Sequence, residues 1–229
     1  MKTEEAGFDI VAFCRACGVP DVDHFLERCC VLYDVLVMTN KQYNLTRIDS
    51  PEGYWVKHIA DSLTIARYYP ALTRERLRVA DIGCGAGFPS LVLALAFPNL
   101  WIMAIDSTGK KIKFVQQTAS ILELKNLRTI HGRAGELNRL DEWKDYYHVI
   151  TARAVAPASK IHGETRNMLK RGEGRYILYK TPEYVAADLG EMNALTGTSG
   201  MTWGATEEFD LPNQAGRRQF LHSNNTQLG

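Results

Sequence analysis

The residues best suited to chemistry fall in one segment, VADIGCGAGFPS, from Val79 to Ser90. Gly83, Gly85 and Gly87 alternate with other residues there, Asp81 stands just before them, and a second acid, Asp106, follows the next apolar run. Glycines so placed permit positive φ and let a ligand approach the backbone where a Cβ would block it. A dinucleotide fingerprint requires a glycine at its sixth position; counted from Gly83, that position is the bulky Phe88. No Gly-Lys-Ser/Thr follows, which excludes the phosphate loop of nucleotide hydrolases. A carboxylate at Asp81 adds little to a pyrophosphate site and suits a ligand with an ammonium group, such as the methionine part of S-adenosylmethionine. Asp106 can accept both hydroxyls of a ribose. Two plainer readings stay open: a ligand-free tight turn for the glycines, and a helix N-cap for Asp106, which precedes Ser107 and Thr108.

These residues need a scaffold that brings strand ends together, and the pattern supplies one. Leu77 to Ile82, Leu100 to Ile105, Leu127 to His131, His148 to Ala152 and Gly174 to Tyr179 read as strands. Helical stretches, Pro89 to Phe97, Lys110 to Leu122 and Ser159 to Leu169, alternate with them. That alternation predicts an α/β fold with a parallel sheet covered on both faces. Two weaker strands, Thr206 to Leu211 and Arg218 to Ser223, lack an intervening helix and are expected to run antiparallel at one edge. Upstream, Phe8 to about Pro70 is helical. Asp21 is placed to cap a helix with apolar Phe25, Cys29, Leu32 and Leu36. After a break over Asn44 to Asp49, Ser50-Pro51-Glu52 opens a second helix with Trp55, Ile59, Leu63 and Ala66 at helical spacing. The polar Thr73 to Arg76 marks the boundary, dividing an N-terminal helical extension, 1–72, from the main domain, 73–229.

Composition excludes several classes. Hydrophobic residues make up 45% and charged residues 23%, the values of an ordinary globular chain. The formal net charge of +1 excludes a generic polyanion binder, although a local basic patch remains compatible with it. No apolar run approaches the ~18 residues of a membrane span, and the acidic N-terminus lacks a signal peptide's pattern, so no membrane and a cytoplasmic location are expected. Five cysteines, an odd number, point to reduced thiols. The lone CxxC of Cys14 and Cys17 offers two of zinc's four ligands, and no metal is expected.

A series of segments adds a family likeness: YNLT (Tyr43 to Thr46), VKHIADS (Val56 to Ser62), DIGCGAGFPS (Asp81 to Ser90) and DSTGKKIKF (Asp106 to Phe114). GRAGE (Gly132 to Glu136), ITARAVA (Ile150 to Ala156) and GRYILYK (Gly174 to Lys180) complete it. In this order the segments resemble the RsmG (GidB) methyltransferases, which methylate a guanine at N7 in bacterial small-subunit ribosomal RNA. The resemblance implies a Rossmann-like class I methyltransferase sheet and S-adenosylmethionine as cofactor. It implies that Gly83 and Phe88 lie along the cofactor, that Asp106 takes the ribose, that Ala134 and Gly135 flank the adenine, and that Arg153 lies at the cofactor and active-site mouth. His58 and Asp61 resemble a family pair near the site, and are equally readable as a helix surface or packing pair. The chain departs from the family at Ala86 (commonly Pro), at Ser90 and Thr181 (commonly Gly), and beyond Pro212.

The partner so implied is small-subunit rRNA or the small ribosomal subunit, not DNA. Guanine N7 is a lone-pair nucleophile without a proton to remove, so no catalytic acid or base is named; positioning can supply most of the rate. Arg153 could form a bidentate fork to the cofactor carboxylate or a phosphate, or anchor its loop in a salt bridge. Arg47 and Lys57 with His58, then Lys110, Lys111 and Lys113, then Arg217 and Arg218, are candidate phosphate contacts or merely solvated faces. Two other functions fit less well: a methyltransferase of the same fold acting on a small molecule or protein, and a non-catalytic rRNA-binding assembly factor.

Overall fold

The computed structural model describes residues 2–47, 50–196 and 201–225. The N-terminal helices include α1 (Ile10–Ala16), α2 (Val22–Tyr43), α3 (Pro51–Tyr54) and α4 (Asp61–Tyr68), the last two joined by a π-helical stretch, Trp55–Ala60. The local signals act as their chemistry requires. Asp21 accepts the His24 N–H at 3.1 Å, and Ser50 accepts that of Gly53 at 3.1 Å with Pro51 at the first helical position. Asn44 ends α2 in the left-handed conformation. The last two residues of the expected 44–49 break, Ile48 and Asp49, lie outside the described residues.

A short α5 (Ala71–Arg74) leads into β1 (Arg78–Ile82), α6 (Ser90–Ala96), β2 (Trp101–Asp106), α7 (Gly109–Ile121), β3 (Leu127–His131) and α8 (Ala134–Leu137). Then come β4 (Val149–Arg153), α9 (Ala158–Thr165), β5 (Arg175–Lys180), α10 (Pro182–Thr196), β6 (Met201–Ala205), β7 (Phe209–Asp210) and β8 (Arg217–Asn225). The sheet order is β3-β2-β1-β4-β5-β8-β6, with β7 beside β8. The first five strands are parallel, and β8 runs antiparallel between β5 and β6.

Alternation along the strands divides the core. Val79, Ile102, Ala104, Val149 and Ile177 face one side, which α6 and α7 cover and which the N-terminal helices share through Phe25, Cys29, Leu32, Leu36, Trp55, Ile59 and Leu63. Ala80, Ile82, Ile105, Ile150 and Leu178 face the other, under α9 and α10. Among the described residues no helix is long and apolar enough to cross a membrane, and no cluster of His, Cys, Asp and Glu could hold a metal ion.

One element was not foreseen and two expectations need correction. Helix α10 has no counterpart in the sequence pattern. The strand expected at Thr206 to Leu211 shrinks to Phe209–Asp210, because the partner edge of β8 is taken by Met201–Ala205. Helix α9 stops at Thr165, since the Met168 carbonyl accepts the Tyr146 and Tyr147 N–H groups and Leu169 bridges to Tyr147.

Candidate active site

The chain leaves β1 toward β2 on one side, and β4 begins the other half next to β1. Ligands of open α/β sheets bind at this switch point, outside the carboxyl ends of the strands. A cavity of about 590 Å³ opens there, between the glycine loop after β1, the ends of β2 and β4, and α9. Gly83, Phe88, Asp106, Ala134 and Arg153 all line it; Gly135 does not, and an added Cβ there would meet the Glu164 side chain at 3.4 Å.

The glycines act in different ways. Gly83 has φ of +68°, and a Cβ on it would lie 2.7 Å from Val155, so its bare backbone lets the loop after β4 close over it. Gly85 has φ of +59°, and a Cβ there would meet nothing nearer than 4.0 Å, so its backbone faces the cavity open to a ligand. Its N–H donates to Asp106 Oδ2 at 3.0 Å, while Asp106 Oδ1 accepts the Thr108 N–H at 2.7 Å. Asp106 is therefore fixed at the cavity rim from two sides. The α7 N-cap is Thr108, whose side chain makes no capping bond, so the capping role belongs to Asp106 only in the sense of steadying that N–H.

Asp81 differs from its expected place. It is 1% exposed and lies beneath the loop, where Oδ2 accepts the Ser90 N–H at 3.2 Å and the Ser90 hydroxyl. Burial pushes its carboxyl up to about 6. Its Oδ1 is buried without a hydrogen-bond partner. Ser90, a departure from the family pattern, thus takes up the acid and ties the loop to the start of α6.

The N-terminal helix reaches directly into the cavity wall. The His58 ring stacks on Phe88 with centroids 4.0 Å apart at 12°. His58 Nδ1 lies 3.4 Å from Arg153 Nη2, a pure donor, and Nε2 lies 3.2 Å from Thr46 Oγ1, which places the ring proton on Nε2. Burial, then the Arg153 charge, depress His58 to about 3, so the ring is neutral near pH 7. Arg153 Nη1 donates to the Lys57 carbonyl at 2.8 Å and to Asp61 Oδ2 at 3.0 Å. Asp61, 1% exposed, also accepts Arg218 Nε at 3.0 Å and Nη2 at 3.3 Å. One buried carboxylate thus ties the helix to β4 and β8. His58 and Asp61 both meet Arg153; Arg153 itself is a loop anchor that also lines the cavity.

The candidate phosphate contacts separate accordingly. His58 is buried and leaves that group. Arg218 is engaged by Asp61, Arg217 pairs with Glu208, and Lys110 Nζ donates to the Tyr43 carbonyl. Arg47, Lys57 and Lys113 are exposed, and Lys111 lines the cavity. Lys160 and Glu164 also line it, unforeseen from sequence; the available signal was their place on the helix that follows the carboxyl end of β4.

A second cavity, of about 580 Å³, lies across the loop that follows β4. The two share Arg153, Ala154, Val155, Ala156 and Ile161, so one short segment is their common wall. Ala154, with φ of +55°, supplies the bend.

Comparison with known proteins identifies the fold and the family. A SAM-dependent methyltransferase from Aquifex aeolicus superposes with a TM-score of 0.58 at 15% identity, over 80% of this chain and 97% of that one, which establishes the fold. The Ribosomal RNA small subunit methyltransferase G of Leuconostoc citreum is 34% identical over 196 residues, 86% of this chain and 81% of the relative. The protein of the same name from Staphylococcus carnosus is 35% identical over 190 residues, 82% and 78% of the two chains. The GidB family, described as rRNA small subunit methyltransferase G, matches residues 26–202, a span running from the helices that wall the cavity to the sheet that forms its floor. With the glycine loop, the strand-end acid and the Asp61–Arg153 pair all inside that match, the chain belongs to the rRNA small subunit methyltransferase G family.

Proposed function

We propose that the protein is an S-adenosylmethionine-dependent methyltransferase acting on guanine N7 in small-subunit (16S) ribosomal RNA, working in the cytoplasm on the RNA or the small ribosomal subunit. The observation that carries this reading is Asp106. It is a carboxylate held on the cavity rim by Gly85 and Thr108, at the strand end where a ribose would lie. The residues present fit the cofactor. The cavity volume is that of a small-molecule site. Gly85 leaves backbone bare toward it, and Asp81 keeps a buried acceptor atom free beneath the loop.

In this reading Gly83 and Gly85 form the floor under the methionine part, Phe88 stands beside it, and Asp106 accepts the ribose hydroxyls. Ala134 adjoins the adenine, and Gly135 supports that turn from behind. Bound there, S-adenosylmethionine would supply a methyl electrophile to the lone pair of guanine N7, with the electrons of the broken C–S bond left on sulfur. No proton moves, so the chain needs no general base, and its contribution is alignment and the exclusion of water. Neutral His58 fits this role: it packs Phe88 against the cavity without placing a charge beside a sulfonium. Arg153, held by Asp61, fixes the wall between the two cavities. The exposed Arg47, Lys57 and Lys113 supply cations for RNA phosphates.

The test is mass spectrometry of nucleosides from small-subunit rRNA, isolated with and without the gene, paired with calorimetry of S-adenosylmethionine. Loss of one 7-methylguanosine on deletion, with micromolar cofactor binding by the protein, is expected. Unchanged rRNA methylation would remove the RNA assignment, and absent cofactor binding would remove the transferase itself.

A further inference from the structure

The second cavity carries groups that the cofactor site does not use. It is bounded by the ends of β4 and β5 and by α10. Lys180, at the end of β5, places Nζ 2.6 Å from Asp188 Oδ2 on α10, and both side chains are nearly buried, at 12% and 10% exposure. Asp188 Oδ2 is buried and has no partner besides that ammonium among the described residues. The Lys180 ammonium also donates to the Ala156 carbonyl at 3.0 Å, on the wall shared with the first cavity. One helical turn before Asp188, on the same face of α10, Tyr184 lines the cavity and is 63% exposed. A solvated aromatic beside a dry ion pair is an unusual use of both, because burying two charges is unfavourable unless further partners complete them.

The geometry points to this cavity as the seat of the target guanine, with Tyr184 as stacking platform and the Lys180–Asp188 pair as the reader of the base edge; this rests on the guanine-N7 reading above. Guanine presents neighbouring groups of opposite kind, the O6 acceptor and the N1–H donor. An adjacent ammonium and carboxylate match them in that order, and the 2-amino group adds a second donor toward the carboxylate. N7 lies next to O6. Lys180 is tied to Ala156, on the segment the two cavities share, so the base edge it would hold lies beside that segment, and transfer requires N7 to reach past it to the first cavity. Methylation puts a positive charge on the purine ring, which a carboxylate facing N1–H stabilises more in the product than in the reactant. Adenine meets the pair with the wrong polarity at both atoms, its 6-amino group against the ammonium and its bare N1 against the carboxylate, so buried polar groups stay unpaired. Stacking on an exposed tyrosine adds affinity and does not discriminate between bases, because every base has a π-face. The platform therefore supplies affinity, and the ion pair supplies the choice.

The test uses the full chain with S-adenosylhomocysteine at saturation, so that a nucleotide cannot report on the cofactor cavity. Binding of guanosine monophosphate and adenosine monophosphate is followed by protein NMR, and transfer to small-subunit RNA is followed separately. Expected results are at least tenfold preference for the guanine nucleotide, lost in Asp188→Asn. Transfer kcat/KM should fall about 100-fold in Asp188→Asn and about tenfold in Tyr184→Ala, with recovery in Tyr184→Phe. S-adenosylmethionine affinity should stay within twofold in all three. Tyr184 is at the surface, so its variants keep the question answerable if Asp188→Asn does not fold. Equal binding of the two nucleotides, or wild-type kcat/KM in Tyr184→Ala, would overturn the assignment. A wild-type protein that selects the guanine nucleotide yet methylates no rRNA would uphold the pocket and overturn the function on which it rests.

Discussion

Replacing Asp61 with Asn is the sharpest perturbation of the clamp between the N-terminal helices and the sheet. The change conserves shape and removes one charge, leaving Arg153 and Arg218 without their shared anion. Hydrogen bonds to charged groups contribute about 1.5–3 kcal/mol each. The guanidinium side chains are 16% and 20% exposed, so water recovers part of the loss, and the lower end of that range applies to each pair. Two pairs give about 3 kcal/mol, which agrees with the lower bound for breaking a buried pair. For a chain of this size, that corresponds to a fall in Tm of roughly 6–12 °C. Arg218→Met, which breaks one pair and keeps the other, should lose about half as much. Urea unfolding of the three proteins at pH 7 reads both numbers. Because the carboxylate is 2% exposed, the loss should persist in 0.5 M salt, where the Debye length is only a few ångströms and solvent-exposed pairs are screened. A loss below 1 kcal/mol, or one that disappears in salt, would falsify the claim that this carboxylate is a buried anchor.

Three other outcomes are expected. Asp106→Asn should weaken S-adenosylmethionine binding by about 1.5–3 kcal/mol, read by calorimetry, with the fold retained; unchanged affinity would confine Asp106 to steadying its two backbone N–H groups. Below pH 6.5 the unfolded chain protonates His58 while the folded chain, with this ring depressed to about 3, does not, so its contribution is complete above pH 6.5 and lost as pH falls. Against His58→Gln, the wild type should therefore lose about 1.4 kcal/mol of urea stability between pH 7.5 and 5.5; Asp81, raised to about 6, acts in the opposite direction but equally in both proteins, so a parallel pH dependence would place a charged ring at that position. Iodoacetamide at pH 8 should leave the buried Cys14, Cys17, Cys29 and Cys84 unlabelled in the native protein, Cys14 and Cys17 being pushed up to about 12 by burial, while half-buried Cys30 reacts; rapid native labelling of all five thiols, counted by mass spectrometry, would contradict the packing of α1 and α2.

Much of the active site's frame is local in origin and could be read without coordinates. The Asp21 and Ser50 caps act within three residues, and the apolar stripe of α2 and the alternation of β1 follow from helix and strand periods. The glycine loop sits where β1 meets α6, so its relation to the cavity followed from chain order alone. The expectation that Ala134 and Gly135 flank an adenine came from the family likeness alone, whereas Asp106 was also legible as the acid that ends the second strand. Helix α10 escaped because two of its buried positions, Asp188 and Thr196, are polar and blur the stripe formed by Val185 and Met192. The edge strand MTWGA pairs strand-favouring Thr202 and Trp203 with strand-poor Gly204 and Ala205, too short a signal by itself, and it is extended because β8 offers a partner. Tertiary structure alone decided that Asp81 turns down to Ser90, that His58 is an uncharged stacking ring, and that Asp61 gathers Arg153 and Arg218 from 92 and 157 residues away. Spacing in sequence reports only on neighbours along the chain. A buried charge takes whichever partners the packed helices and sheet bring within 3–4 Å, because leaving it alone in a low-dielectric interior is the more costly state.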